Sequence, residues 1–198
     1  MPRPGILSMV IFMEFSLDNT EIVLVAAPEG FRDEELFVPE DVFSGVGAFV
    51  LTASTTKKPI YGSQGGSTLP DLHIEDIKVD SLNALVIAGG KGAREHLWHN
   101  EALLRKVREA NEKGKVIGAI CISGAIPAIA GIMRGRRGTV YPDTGALEVL
   151  KENGETYVNE GVVVDGNVVT GAGPTYAKEF AETILALLKE RLPAAAQM

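Results

Sequence analysis

Cys121 is placed where a nucleophile belongs. It follows Val116-Ile-Gly-Ala-Ile120, an apolar run of strand character, and precedes a short apolar segment of helical character, roughly residues 124–132. A strand-to-helix turn that presents a nucleophile needs small residues two positions to either side, because the backbone folds back sharply there. Ala119 and Ser123 meet that need. A thiol at the opening of a helix sits where the dipole and free N–H groups stabilise a thiolate. Such settings lower a cysteine pKa from about 8.5 to about 3.5–7.5. The opposing interpretation is a small buried apolar residue, the usual fate of a lone cysteine; placement at the strand end favours chemistry. One strand earlier, Ala84-Leu-Val-Ile-Ala88 ends in Gly89-Gly90. Missing side chains there allow close approach of a substrate and let a main-chain N–H face a developing oxyanion. Alone, a Gly-Gly pair would mark only a tight turn.

A Cys–His hydrolase also needs an imidazole to take and return protons. The three histidines, His73, His96 and His99, all precede Cys121 in the chain. His96 and His99 follow the Gly89-Gly90 strand end at a spacing that would suit a metal pair, but no third ligand is evident, so no metal site is expected.

The elements that must position these groups alternate between strand and helix. Glu21-Ile-Val-Leu-Val-Ala-Ala27 is a continuous apolar run, the pattern of a strand buried on both faces. Asp33-Glu34-Glu35-Leu36 opens a helix with acids in its first turn, and Pro39 is expected to kink or divide it. Residues 48–53 form a second strand, and the Gly- and Pro-rich stretch 54–70 is an excursion or hairpin away from the sheet. A helix over 101–113 starts at the N-cap Asn100. Val162–Thr170 is a hairpin with Asp165-Gly166 at its turn, and a final helix spans about Tyr176 to Leu192 with Phe180, Ile184, Leu187 and Leu188 inward. Such alternation implies a mostly parallel sheet with helices on both faces, and ligands bind beyond the carboxyl ends of its strands. Glu35, Gly89-Gly90 and Cys121 all fall at that edge.

Composition narrows the setting. The chain has 198 residues, 45% of them hydrophobic, enough for one well-filled domain. A net charge of −7 and the lack of a long Lys/Arg run argue against nucleic acid as a partner. A single cysteine excludes an intrachain disulfide. No stretch approaches the roughly 20 apolar residues of a membrane helix. The apolar N-terminal run is broken by Ser8 and soon followed by Glu14, without a small-x-small cleavage site. A cytoplasmic location is expected, with residues 1–13 as an extension and 14–198 as one domain.

From about Glu21 to Leu188 the sequence resembles the DJ-1/PfpI (ThiJ/PfpI) superfamily. The resemblance rests on ordered segments: Glu34-Glu35-Leu36-Phe37-Val38-Pro39, Ala84-Leu-Val-Ile-Ala-Gly-Gly90, Gly118-Ala-Ile-Cys121, Ala130-Gly-Ile-Met-Arg-Gly-Arg136 and Thr170-Gly-Ala-Gly-Pro-Thr175. The excursion from Lys58-Pro59 to Pro70-Asp71 looks more like the DJ-1 branch. The resemblance implies a flavodoxin-like three-layer αβα sandwich of the class I glutamine amidotransferase-like kind. It implies that Cys121 is the reactive cysteine, that Glu35 is the buried glutamate beside it, and that the backbone N–H groups of Gly90 and Ile122 form the oxyanion pocket. Two like charges side by side are unfavourable, so Glu35 is expected to stay protonated and donate a hydrogen bond to a thiolate. By position alone Glu35 would be a solvated first-turn acid.

The family's histidines are missing. Ile122 occupies the position directly after the cysteine, and Tyr141 stands in the segment where the DJ-1 branch has its histidine. The resemblance thus implies a cofactor-independent enzyme acting on small reactive carbonyls, of the glyoxalase III or deglycase type. A redox-responsive or chaperone-like protein with an oxidisable Cys121 is the alternative, and an intracellular cysteine peptidase or amidase comes third. The remaining reading is a family member whose site has lost activity, with Tyr141 in the histidine position. A homo-oligomer, dimer or larger, is implied as well.

Overall fold

The computed structural model describes residues 17–191. The expected extension over residues 1–13 and the expected helix end at Leu192 lie outside the described residues. The chain runs through β1 (Glu21–Val25), β2 (Glu29–Phe31), α1 (Asp33–Ser44), β3 (Phe49–Ser54), β4 (Ile60–Gly62), β5 (Ser67–Thr68) and β6 (Leu72–His73). It continues with β7 (Ala84–Ile87), α2 (Lys91–His96), α3 (Glu101–Glu112), β8 (Val116–Ile120) and α4 (Ala125–Ile129). The last third holds β9 (Arg137–Gly138), α5 (Thr144–Glu152), β10 (Thr156–Tyr157), β11 (Val162–Asp165), β12 (Val168–Gly171) and α6 (Ala177–Arg191).

Seven strands form the main sheet in the order β11-β12-β8-β7-β1-β3-β6. All its pairs are parallel except β11 with β12. From β1 the chain first builds outward through β3 and β6, then returns to lay β7, β8 and β12 on the other side. With right-handed crossovers, that reversal puts α1 and α3 on opposite faces. It also opens a crevice beyond the carboxyl ends of β1 and β7. The apolar runs that announce β1, β7 and β8 are buried along almost their whole length. α6 packs on α1 and on β8. Gly118 makes that approach close, since a Cβ there would come within 2.6 Å of Ile184 Cδ1 and 2.9 Å of Phe180 Cζ.

Three local expectations change. α1 is a single helix from Asp33 to Ser44 with Pro39 inside it, so the proline does not divide it. Pro39 lacks only the N–H that would reach the Glu35 carbonyl, and its buried ring sits within the helix's packed face. The hairpin turn shifts by one residue: Asp165 pairs with Val168, which leaves Gly166-Asn167 as the two-residue loop. After Cys121 the chain makes a 3-10 turn through Gly124 before α4, which ends at Ile129. The Asn100 cap is as expected, its side chain accepting from the Leu103 N–H at 2.9 Å.

The excursion is a hairpin of β4 and β5 that joins β2 in a separate three-stranded sheet. Its turn is fastened to the start of α1. The Asp33 carboxylate accepts from Gln64 N–H at 2.8 Å and from Gly66 N–H at 2.6 Å.

Candidate active site

At the carboxyl edge, β8 delivers Cys121 into a backbone conformation that side chains seldom adopt. Its φ is +60°, and among the described residues it is the only non-glycine with positive φ. Such strain persists where the surroundings over-determine it, often at functional positions. Ser123 anchors the turn by donating its hydroxyl to the Ala88 carbonyl at 2.7 Å. Cys121 is only 7% exposed, yet it forms part of the wall of an open cavity of about 770 Å³.

Glu35 arrives from the first turn of α1. It is fully buried, and its Oε2 accepts from Gly89 N–H at 2.9 Å, while Oε1 has no hydrogen-bond partner. The two glycines make room for this. A Cβ on Gly89 would lie 2.5 Å from Glu35 Oε2 and 2.6 Å from Cys121 Cβ. Gly90 has φ +98°, and a Cβ there would press on Arg32 N and Gly30 O, each at 2.5 Å. The backbone N–H groups of Ile122 and Gly90 both bond toward the sulfur and favour its anion. The four residues expected to make up the site, Cys121, Glu35, Gly90 and Ile122, are therefore brought together.

Burial acts against ionisation of both groups. Burial pushes the Glu35 carboxyl up to about 7, against the opposing pull of the neighbouring Cys121, the Gly89 N–H and Arg32. Burial, then the Glu35 charge, pushes the Cys121 thiol up to about 12, outweighing the Ile122 and Gly90 N–H groups. The helix-end donors exist, but desolvation is the larger effect. The pull of the helix-end donors on the thiol is thus weaker than expected, while the carboxyl is raised as expected.

None of the three histidines lines the cavity. His73 bonds through Nε2 to the Thr55 carbonyl at 2.9 Å. His96 Nε2 lies 3.5 Å from Glu29 Oε1, and His99 is exposed. Among the described residues no group of three or more His, Cys, Asp and Glu is placed to hold a metal ion. Tyr141 does line the cavity, and its N–H bonds to the Cys121 carbonyl at 3.3 Å.

Other lining residues gave no sequence signal. Arg94 ion-pairs with Asp143 across 49 positions of chain. Ser63 and Gln64, from the hairpin turn, supply another part of the wall. The Gly-rich composition marked that hairpin as an excursion; nothing in it showed that the excursion returns to the wall of this cavity.

The model of the DJ-1/PfpI family matches residues 21–187. The chain belongs to the DJ-1/PfpI family. An uncharacterized protein of Methanocaldococcus jannaschii is 42% identical over 175 residues, covering 88% of this chain and 85% of that protein. A Pyrococcus abyssi protein named deglycase is 34% identical, covering 84% of this chain and 99% of its own length. A Caenorhabditis elegans protein named glutathione-independent glyoxalase is 28% identical over 84% of this chain and 88% of its own. Among solved structures, a ThiJ/PfpI domain protein from Brachyspira murdochii superposes with a TM-score of 0.82 at 28% identity, covering 87% of this chain and 98% of that one. The mostly parallel α/β sandwich is thus the fold of the DJ-1/PfpI family. No described helix is long and apolar enough to cross a membrane.

Proposed function

We propose that this protein converts small reactive carbonyls, 2-oxoaldehydes or the adducts they form, using Cys121 as nucleophile and Glu35 as proton carrier. The observation that carries this is the pairing of Glu35 with Cys121 at a cavity wall that holds no imidazole. An aldehyde carbon is electrophilic enough to be attacked without an acid strong enough to expel an amine. The names deglycase and glutathione-independent glyoxalase on two relatives support the same chemistry. A cavity of about 770 Å³ exceeds what a three-carbon aldehyde fills, so an adduct on a larger carrier also fits.

With methylglyoxal the steps balance as an internal redox reaction plus one water. The Glu35 carboxylate takes the thiol proton while sulfur bonds to the aldehyde carbon. The carbonyl electron pair moves to oxygen, which faces the Gly90 and Ile122 N–H groups. Glu35 then returns a proton to that oxygen, giving a hemithioacetal. The carboxylate next removes the proton from the sulfur-bearing carbon, and the resulting enediol is reprotonated at the neighbouring carbon. That yields a thioester of the 2-hydroxy acid. Water cleaves the thioester, restores the thiol and releases lactate. A carboxyl with pKa about 7 is suited to giving and taking protons in turn at neutral pH.

The test is lactate formation from methylglyoxal by fresh, reduced protein, compared with Cys121→Ser and Glu35→Gln. Turnover that either substitution lowers by roughly a hundredfold or more is the expected result. No turnover by the unmodified protein, or full turnover without the sulfur, overturns the proposal.

A further inference from the structure

Two hydrogen bonds grip the backbone on either side of Ile122. The Cys121 carbonyl and the Ile122 N–H belong to one planar trans peptide and point in opposite directions. Tyr141 N–H holds that carbonyl at 3.3 Å, which directs the Ile122 N–H toward the sulfur. On the other side, the buried Trp98 indole donates Nε1–H to the Ile122 carbonyl at 3.0 Å. The two grips come from distant chain segments, and Arg94 joins them. Its Nη2 donates to both oxygens of Asp143, at 2.6 and 2.7 Å, two residues past Tyr141. Its Cζ lies 4.6 Å from the Trp98 ring centroid, a cation–π distance. Asp143 is held in turn: burial opposes its ionisation, yet Arg94 and the Ala146 and Gly145 N–H groups keep its carboxyl below the usual carboxylate range.

We infer that Asp143, Arg94 and Trp98 form a strap that sets the direction of the Ile122 N–H, making Arg94 and Trp98 positioning residues for the oxyanion pocket. This rests on the proposed function only in treating that N–H as an anion donor. The strap ties α2 and the turn after it to the segment ahead of α5 across the mouth of the elbow. Loosening it releases the donor without touching Cys121 or Glu35.

The sulfur itself reports the outcome, whatever the substrate. Below its pKa a thiol is alkylated in proportion to its thiolate fraction, and the Ile122 N–H raises that fraction. With one cysteine in the chain, each adduct on the intact protein counts Cys121 alone. Iodoacetamide labelling at pH 8, followed by intact mass, should slow roughly three- to tenfold in Trp98→Phe, the effect of one hydrogen bond. Arg94→Met should slow it similarly, Arg94→Lys should recover part of the rate, and the double variant Trp98→Phe/Arg94→Met should be no slower than the slower single one. A purely structural role gives the opposite sign, since an opened elbow exposes the sulfur and labels faster. Unchanged rates, faster rates or additive losses in the double variant overturn the strap. If Trp98→Phe fails to fold, Arg94→Met decides. With methylglyoxal, kcat should fall by a similar factor while KM holds. If the unmodified protein turns over no methylglyoxal, the carbonyl reading fails and the labelling result still decides the strap.

Discussion

Glu35 ionises near neutrality because folding strips its water while leaving it a single N–H donor, that of Gly89. Two consequences of opposite slope follow. The proposed reaction needs the carboxylate, so kcat/KM should fall as pH drops through about 7; Glu35→Gln should erase this limb and cost roughly 10²- to 10⁴-fold in rate. Stability runs the other way. A carboxyl raised by folding from 4.5 to about 7 favours the native state in its protonated form, so that contribution is full at low pH and lost as pH rises through 7. Glu35→Gln should therefore melt above the unmodified protein at pH 8.5, and calorimetry at pH 5 and 8.5 checks it. Gly89→Ala should lose turnover and melt lower, because its methyl would sit where Oε2 and the Cys121 Cβ now lie. Cys121 was legible from its neighbours, since Ala119 and Ser123 mark an elbow. Glu35 was legible only through the family resemblance, because a first-turn acid looks solvated. How strongly burial raises both groups was not legible, because burial belongs to the folded chain.

Between α5 and β10 lies a second carboxyl without support. Glu155 is 6% exposed and neither oxygen has a hydrogen-bond partner. Burial, then the charge of Asp165, raises it to about 8. Its native state also prefers the proton, so its contribution shrinks as pH rises and is gone above about 8. Glu155→Gln should raise Tm over the unmodified protein by several degrees at pH 9, with a smaller gap at pH 5, as thermal melts at both values would show. The strands and helices themselves were readable from apolar runs and caps such as Asn100. Pro39 misled because the rule concerns a lost N–H in an isolated helix, whereas the buried ring here packs with Leu36 and Phe43 on the inner side of α1. The Arg94–Asp143 link was invisible, since nothing local in two segments so far apart announces a contact.

For the whole molecule, α6 holds together the parts of the candidate site, because it packs on β8, which leads into Cys121, and on α1, which carries Glu35. Phe180 is fully buried at that junction. Phe180→Ala should lower unfolding stability by about 3–5 kcal/mol in urea titration, with the midpoint moving and the slope unchanged. The parallel order, and the edge at which the candidate residues gather, were legible from alternating strand and helix signals. What the excursion does was not, because a hairpin's own residues carry no record of what it returns to cover. Asp33 supplies that record. Its carboxylate grasps the turn bearing Ser63 and Gln64, and a Cβ at Gly62 or Gly66 would collide with its oxygens. The turn that walls the cavity is thus clasped by the same helix end that carries Glu35, two residues further on, so wall and proton carrier share one anchor.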